Sequence, residues 1–164
     1  MKRLLVSFWL FAVPAQAQDL VFSPEATEAC LAAVTSNYES CIGHSADACM
    51  LDTPGGDSTV GMGACLAREL DYWDARLNAT YRALMERHRV TDVETREYAP
   101  SAPSLAEALR AMQRAWVPYR DAACDYERAQ WSGGTGGSPA TAGCLMHLTG
   151  RQALELEARL ALAE

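Results

Sequence analysis

The residues best suited to nucleophilic or metal chemistry are six cysteines, Cys30, Cys41, Cys49, Cys65, Cys124 and Cys144, and three histidines, His44, His88 and His147. A nucleophile needs a base beside it, and none of the histidines stands in a nucleophile motif with Ser, Cys or Thr. His44 falls between Cys41 and Cys49, and His147 follows Cys144 by three residues, so a metal set can be drawn on paper. Zinc requires reduced thiolates, however, and no second Cys-x-x-Cys element completes a tetrahedral site. Carboxylates cluster at Glu69, Asp71 and Asp74, and again at Asp121 and Asp125. At helical spacing such charges are read as a solvated face, with Asp121 pairing to Arg114 or Arg120. The segment from Ser132 to Ser138 is rich in glycine but lacks the lysine of a phosphate loop, so it is read as a connector. No catalytic residue, cofactor or metal is expected.

The cysteines make better sense as a disulfide framework, because the chain begins as an exported one. Lys2 and Arg3 precede the apolar run Leu4 to Val13, and Ala15-Gln16-Ala17 offers a small-residue cleavage site. Cleavage after Ala17 is expected, which leaves one domain over 18–164. The apolar run is shorter than the roughly 20 residues a membrane span needs. Gln18 stands where a lipoprotein would carry cysteine, so a lipid-free periplasmic or secreted product is expected. Loss of the signal removes two basic residues and leaves 12 basic against 21 acidic side chains, a net charge of −9. That charge disfavours nucleic acid, maintains solubility and attracts cationic partners. All six cysteines lie beyond the cleavage site, and their even number in an exported chain signals disulfides. Cys124 and Cys144 flank the glycine-rich connector and are expected to pair. Cys41 and Cys49 bracket a short loop around Gly43, and pairing them leaves Cys30 for Cys65.

The elements that position these residues are helical. Ala29, Cys30, Ala33, Val34, Asn37, Tyr38 and Cys41 follow helical spacing, after Ser23 as an N-cap and Pro24 in the first turn. The stretch from Leu51 to Ser58 carries Pro, Gly and Asp and is read as a loop. A second helix shows the clearest period, through Leu66, Leu70, Trp73, Leu77, Tyr81, Leu84 and His88, near which it is expected to end. Ser104 caps a third, with Glu107 at the capping-box position and an apolar line Leu105, Leu109, Met112, Trp116, Tyr119, Ala123. Pro118 falls inside that line and predicts a kink. A last helix presents Leu145, Leu148, Gln152, Leu156 and Leu160 inward. The expected fold class is all-α, a small antiparallel bundle of about four helices stapled by disulfides.

The densest cluster of recognition-type side chains runs from Gln113 to Cys124, where Trp116 and Tyr119 interleave with Arg114 and Arg120. Trp and Arg dominate binding hot spots, but Trp116 lies on an apolar line and is read first as core, with Arg120 able to stack on an aromatic ring. Together with Leu77-Asn78-Ala79-Thr80-Tyr81 after the cysteine-bearing helix start at Cys65, Gln113-Arg114-Ala115-Trp116, Tyr119-Arg120-Asp121, Cys124, Gly137-Ser138 before Cys144, and Leu148-Thr149, this block resembles the lysozyme inhibitor LprI N-terminal domain family of bacterial envelope proteins. The resemblance covers about Cys30 to Leu156, with Cys41 and Cys49 additional to the family pattern. It implies a helical, disulfide-linked periplasmic or secreted protein with lysozyme inhibition as its activity. It also singles out Asn78, Tyr81, Trp116, Tyr119, Arg120 and Asp121 as family-motif, candidate binding residues. The resulting expectation is a non-enzymatic binding protein of the envelope whose partner is a cationic, lysozyme-like protein. For blocking a cleft, the segments Leu51 to Val60 and Ser132 to Ser138 are the best-exposed candidates. The alternative is a structural or assembly factor that docks on another envelope protein.

Overall fold

A computed structural model describes residues 19–162, so the expected signal segment lies outside the described residues. The regular elements among the described residues are all helical: α1 (Glu25–Ala33), a 3-10 turn (Tyr38–Cys41), α2 (His44–Asp52), α3 (Thr59–Tyr98), α4 (Leu105–Ala129) and α5 (Gly137–Leu162). There are five α-helices among the described residues where about four were expected. The difference arises at the N-terminal end. Helical spacing through Cys41 predicts one helix, but the chain leaves α1 at Val34 in an extended conformation and turns at Asn37, whose φ of 54° is left-handed. Val34 and Thr35 are poor helix formers, and Asn tolerates that conformation better than most residues. The chain therefore doubles back through the 3-10 turn and starts α2 at His44, inside the expected loop.

That reversal corrects the disulfide pairing. The bridges are Cys30–Cys41, Cys49–Cys65 and Cys124–Cys144, with Cα separations of 5.5, 5.7 and 5.4 Å. The pairs expected for the first four cysteines, Cys30 with Cys65 and Cys41 with Cys49, do not form. Cys41 closes the reversal onto α1, whereas Cys49 sits in the second turn of α2 and faces α3. Joining Cys41 to Cys49 would require unwinding the start of α2, since each helical residue advances about 1.5 Å.

The longest element, α3, continues ten residues past His88 to Tyr98, because no Pro or Gly interrupts it before Pro100. It starts where Ser58 Oγ accepts the Gly61 N–H at 3.0 Å. The turn before it is tight: a Cβ on Gly61 would stand 2.2 Å from the Gly55 carbonyl oxygen. α3 packs most extensively on α5, with α4 on both, around a core of Trp73, Leu77, Leu84, Met85, Leu109, Met146, Ala153 and Leu156. On α5 the expected Leu156 is fully buried and Leu160 packs on the core, but earlier in the helix the inward face is turned by about one residue, from the expected Leu145, Leu148 and Gln152 to Met146, Thr149, Gly150 and Ala153. Small residues explain the rotation. Ile42 presses on Gly150 so closely that a Cβ there would lie 2.9 Å from the Ile42 side chain. α4 runs through Pro118 as one unbroken helix.

Candidate functional site

Two buried carboxylates of α3 set the positions of the other helices. Glu69, assigned from sequence to a solvated face, is fully buried. Its Oε1 accepts from the Gly43 N–H at 2.8 Å, the Thr27 hydroxyl at 3.0 Å and the Trp73 indole N–H at 3.0 Å. Its Oε2 accepts from the Ala46 N–H at 2.6 Å. The Gly43 and Ala46 amides lie at the start of α2, where free amides and the helix dipole favour an anion. Thr27 and Ser45 complete the cluster by exchanging two backbone-to-hydroxyl bonds, at 3.0 and 3.1 Å. With both oxygens engaged by donors of the protein and the side chain fully buried, Glu69 is a structural anchor. The sequence held one clue, since Glu69 and Trp73 are four residues apart and the indole needs an acceptor when buried.

Asp92 performs the same task for α4. Its carboxylate accepts from the Leu105 N–H at 2.7 Å, the Ala106 N–H at 3.1 Å and the Ser104 hydroxyl at 2.6 Å. Ser104 Oγ in turn accepts from the Glu107 N–H at 3.1 Å, as a capping serine should. The Ser104 hydrogen bond, then the two amides and the nearby Arg96 charge, hold the Asp92 carboxyl below the usual carboxylate range against the cost of burial. Asp92 lies beyond the expected end of its helix, so only the tertiary structure reveals it.

On the other side of α3, Arg76 forks onto Glu157 of α5 with bonds of 2.9 and 2.8 Å, and donates to the Tyr72 hydroxyl at 2.6 Å. Its guanidinium also lies 5.3 Å from the Trp73 ring centroid. Burial opposes the Arg76 charge, but the bonds to Glu157 and Tyr72 outweigh it and raise the pKa above the ordinary guanidinium value.

With the helices fixed in this way, α3 and α4 enclose a groove of about 690 Å³. Its α3 wall carries Asp74, Leu77, Asn78 and Tyr81, and its α4 wall carries Arg110, Gln113, Arg114, Trp116, Val117 and Arg120. Four of the six singled-out residues, Asn78, Tyr81, Trp116 and Arg120, thus share one groove. The Asn78 amide donates to Asp74 Oδ2 at 2.8 Å, which fixes the α3 wall. Trp116 is half-buried: it packs on the core from its apolar line and also shows an edge to the groove. Arg120 stacks over it, its guanidinium carbon 5.1 Å from the ring centroid, and pairs with Asp121 at 2.7 Å. Asp121 therefore orients Arg120 from outside the groove.

Tyr119 faces the other way. It is 64% exposed and lies on the α4 and α5 side, in a shallow depression with Trp131, His147 and Leu148. Trp131 is half-exposed and folds over Gly136, where a Cβ would stand 2.1 Å from the ring, so the glycine-rich connector is also the seat of an aromatic side chain. Of the segments expected to be exposed, Leu51 and Val60 are open to solvent, while Thr53 between them is buried. Among the described residues no group of three or more His, Cys, Asp or Glu side chains is arranged to hold a metal ion.

Comparison with known proteins gives this surface its context. The profile of the family described as Lysozyme inhibitor LprI matches residues 49–156, which include both walls of the groove and the Cys49–Cys65 and Cys124–Cys144 bridges. The Cys30–Cys41 bridge precedes the matched range, so the feature added to the matched core is this N-terminal reversal rather than a Cys41–Cys49 pair. The chain is similar to an uncharacterized protein of Rhizobium meliloti (strain 1021), 32% identical over 107 residues, covering 65% of this chain and 77% of the relative. It is also similar to an uncharacterized 17.7 kDa protein in the puhA 5′ region of Rhodobacter capsulatus, 30% identical over 135 residues, covering 80% and 83%. No solved structure gives a significant match. With two thirds of its length in one profile and a relative matched over four fifths of both chains, the chain belongs to the LprI lysozyme inhibitor family.

Proposed function

We propose that this protein is an exported, non-enzymatic binding protein of the bacterial envelope that inhibits lysozyme. The observation that carries the reading is the family match, which spans the helices that build the α3/α4 groove. Residues 1–17 act as the signal, and three disulfides suit the oxidising compartment to which it leads. The net charge of −7, or −9 once residues 1–17 are removed, draws a cationic enzyme toward the surface. Contact is made through the motif residues on two sides of α4: Asn78, Tyr81, Trp116 and Arg120 in the groove, with Asp121 orienting Arg120, and Tyr119 on the side toward α5. Inhibition is steric, by occlusion of the enzyme's cleft. Titration of purified, oxidised protein into lysozyme acting on peptidoglycan, at low and at physiological salt, tests this. Inhibition at micromolar concentration is expected, more strongly at low salt. Absence of inhibition in both conditions refutes it.

One observation favours the second reading, docking on another envelope protein. The groove itself is locally basic, with Arg110, Arg114 and Arg120 against Asp74, so its sign is opposite to that of the whole molecule. A partner seated there needs negative charge, which a cationic enzyme would have to supply from a local acidic patch.

A further inference from the structure

We infer that the α3/α4 groove is a binding site for a carboxylate-bearing peptide segment, with Arg110 and Arg114 as its anion-recognising residues. The inference rests on the reading that this groove is a contact surface, and not on the partner being a lysozyme.

The first support is charge left unpaired. Arg68, Arg76, Arg89, Arg120, Arg151 and Arg159 each have an acidic partner within 4 Å. Arg110 and Arg114, like Arg82, Arg96 and Arg128 elsewhere, have no ion pair or side-chain hydrogen bond among the described residues, but these two alone of the five line the groove. The two lie four residues apart on one helix face, where neighbouring side chains are about 5–6 Å apart at Cβ, a spacing that lets two guanidinium forks address one carboxylate or two adjacent ones. The one acidic group in the groove, Asp74, already accepts from Asn78 at 2.8 Å. Cation excess is therefore built into the cleft of an acidic protein.

The second support comes from the backbone. Pro118 has no N–H, so the Arg114 carbonyl loses its ordinary helical donor, and both residues line the groove. An acceptor thus stands beside the two arginines, suited to the N–H of an extended peptide whose carboxylate meets the guanidinium groups. The Gln113 amide offers one more donor and acceptor on the same wall. A volume of about 690 Å³ suits a short segment rather than a folded domain, lying within the roughly 300–1,000 Å³ of sites that enclose small ligands.

The test uses the oxidised protein and a hexaglutamate peptide, with the glutamine counterpart and an oligogalacturonate as comparison ligands, measured by calorimetry. Amide and indole N–H shifts in NMR spectra locate the site. Expected are salt-sensitive binding of hexaglutamate, a shifted Trp116 indole signal, and affinity reduced about tenfold or more in R110Q/R114Q. R151Q/R159Q, which removes the same two charges from exposed sites on α5, should retain the affinity. Circular dichroism verifies that both variants keep the helical fold. Failure of hexaglutamate to bind overturns the proposal, as does equal binding of the glutamine peptide, equal loss in R151Q/R159Q, or tighter binding of the oligogalacturonate, which would make the site one for acidic saccharides. No lysozyme enters this titration, so its outcome is separable from that of the inhibition assay.

Discussion

At the scale of single residues, the informative side chains are those whose charge is spent inside the fold. Glu69 gathers four donors from α1, α2, α3 and the turn before α2. Replacing it with glutamine sets an NH2 group against donors and leaves at least one buried N–H or hydroxyl unanswered. Glu69→Gln should destabilise by roughly 1–3 kcal/mol or more, measured by urea unfolding of the oxidised protein. Asp92 gives a pH signature. Its folded pKa is depressed relative to about 3.9 in the unfolded chain, so its contribution is fully present above that value and is lost as pH falls through the folded pKa. The stability difference between the wild type and Asp92→Asn should accordingly be constant near neutrality and shrink below about pH 4. A difference that grows on acidification would contradict the capping role. Sequence spacing decided neither residue: the step from Glu69 to Trp73 is a clue, but a carboxylate four residues from a tryptophan looks the same on a wet face as in a core. What decides is which donors another helix brings to it.

At the scale of elements, the periodic segments were readable and the reversals were not. The α3 stripe from Leu66 to Leu84, the Ser104 cap and the Cys124–Cys144 staple follow from spacing and turn chemistry, and the structure contains all three. The break at Val34 to Asn37 was hidden because Cys30, Ala33, Asn37 and Cys41 keep helical spacing even though the backbone does not. The register of α5 was misjudged for a related reason: its large Leu residues mark an apolar side, but closest approach is set by Gly150 and Ala153. Two substitutions test the contacts between elements. Gly61→Ala forces a Cβ onto the Gly55 carbonyl and should lower the melting temperature, because backbone on both sides of the turn must move. Glu157→Ala strands the half-buried Arg76 guanidinium and should cost about 1–2 kcal/mol, after allowing for its partial exposure. A neutral outcome for the second would mean that α3 and α5 are held by apolar packing alone.

At the scale of the whole molecule, two bridges tie the short N-terminal elements together and onto α3, and the third joins the long helices α4 and α5. Loops of 11, 16 and 20 residues are closed by the three bridges, each restricting the unfolded chain by about 3 kcal/mol where it adds no strain. Peptide mapping without reduction should recover the linked pairs Cys30–Cys41, Cys49–Cys65 and Cys124–Cys144. Recovery of a Cys41–Cys49 peptide would contradict the α1 reversal. The candidate surface was legible in part: the motif residues were identifiable, and four of six converge on one groove. The outward turn of Tyr119 and the unpaired Arg110 and Arg114 depended on the rotation of α4 against α3, which no spacing rule supplies. The central claim concerns how this surface acts, and it is tested most directly by titrating oxidised protein into lysozyme on peptidoglycan beside the variant Y119A/R120A. The wild type should inhibit at micromolar concentration, and the variant should need about tenfold more for half-inhibition. No inhibition by the oxidised wild type at either salt concentration would contradict the account.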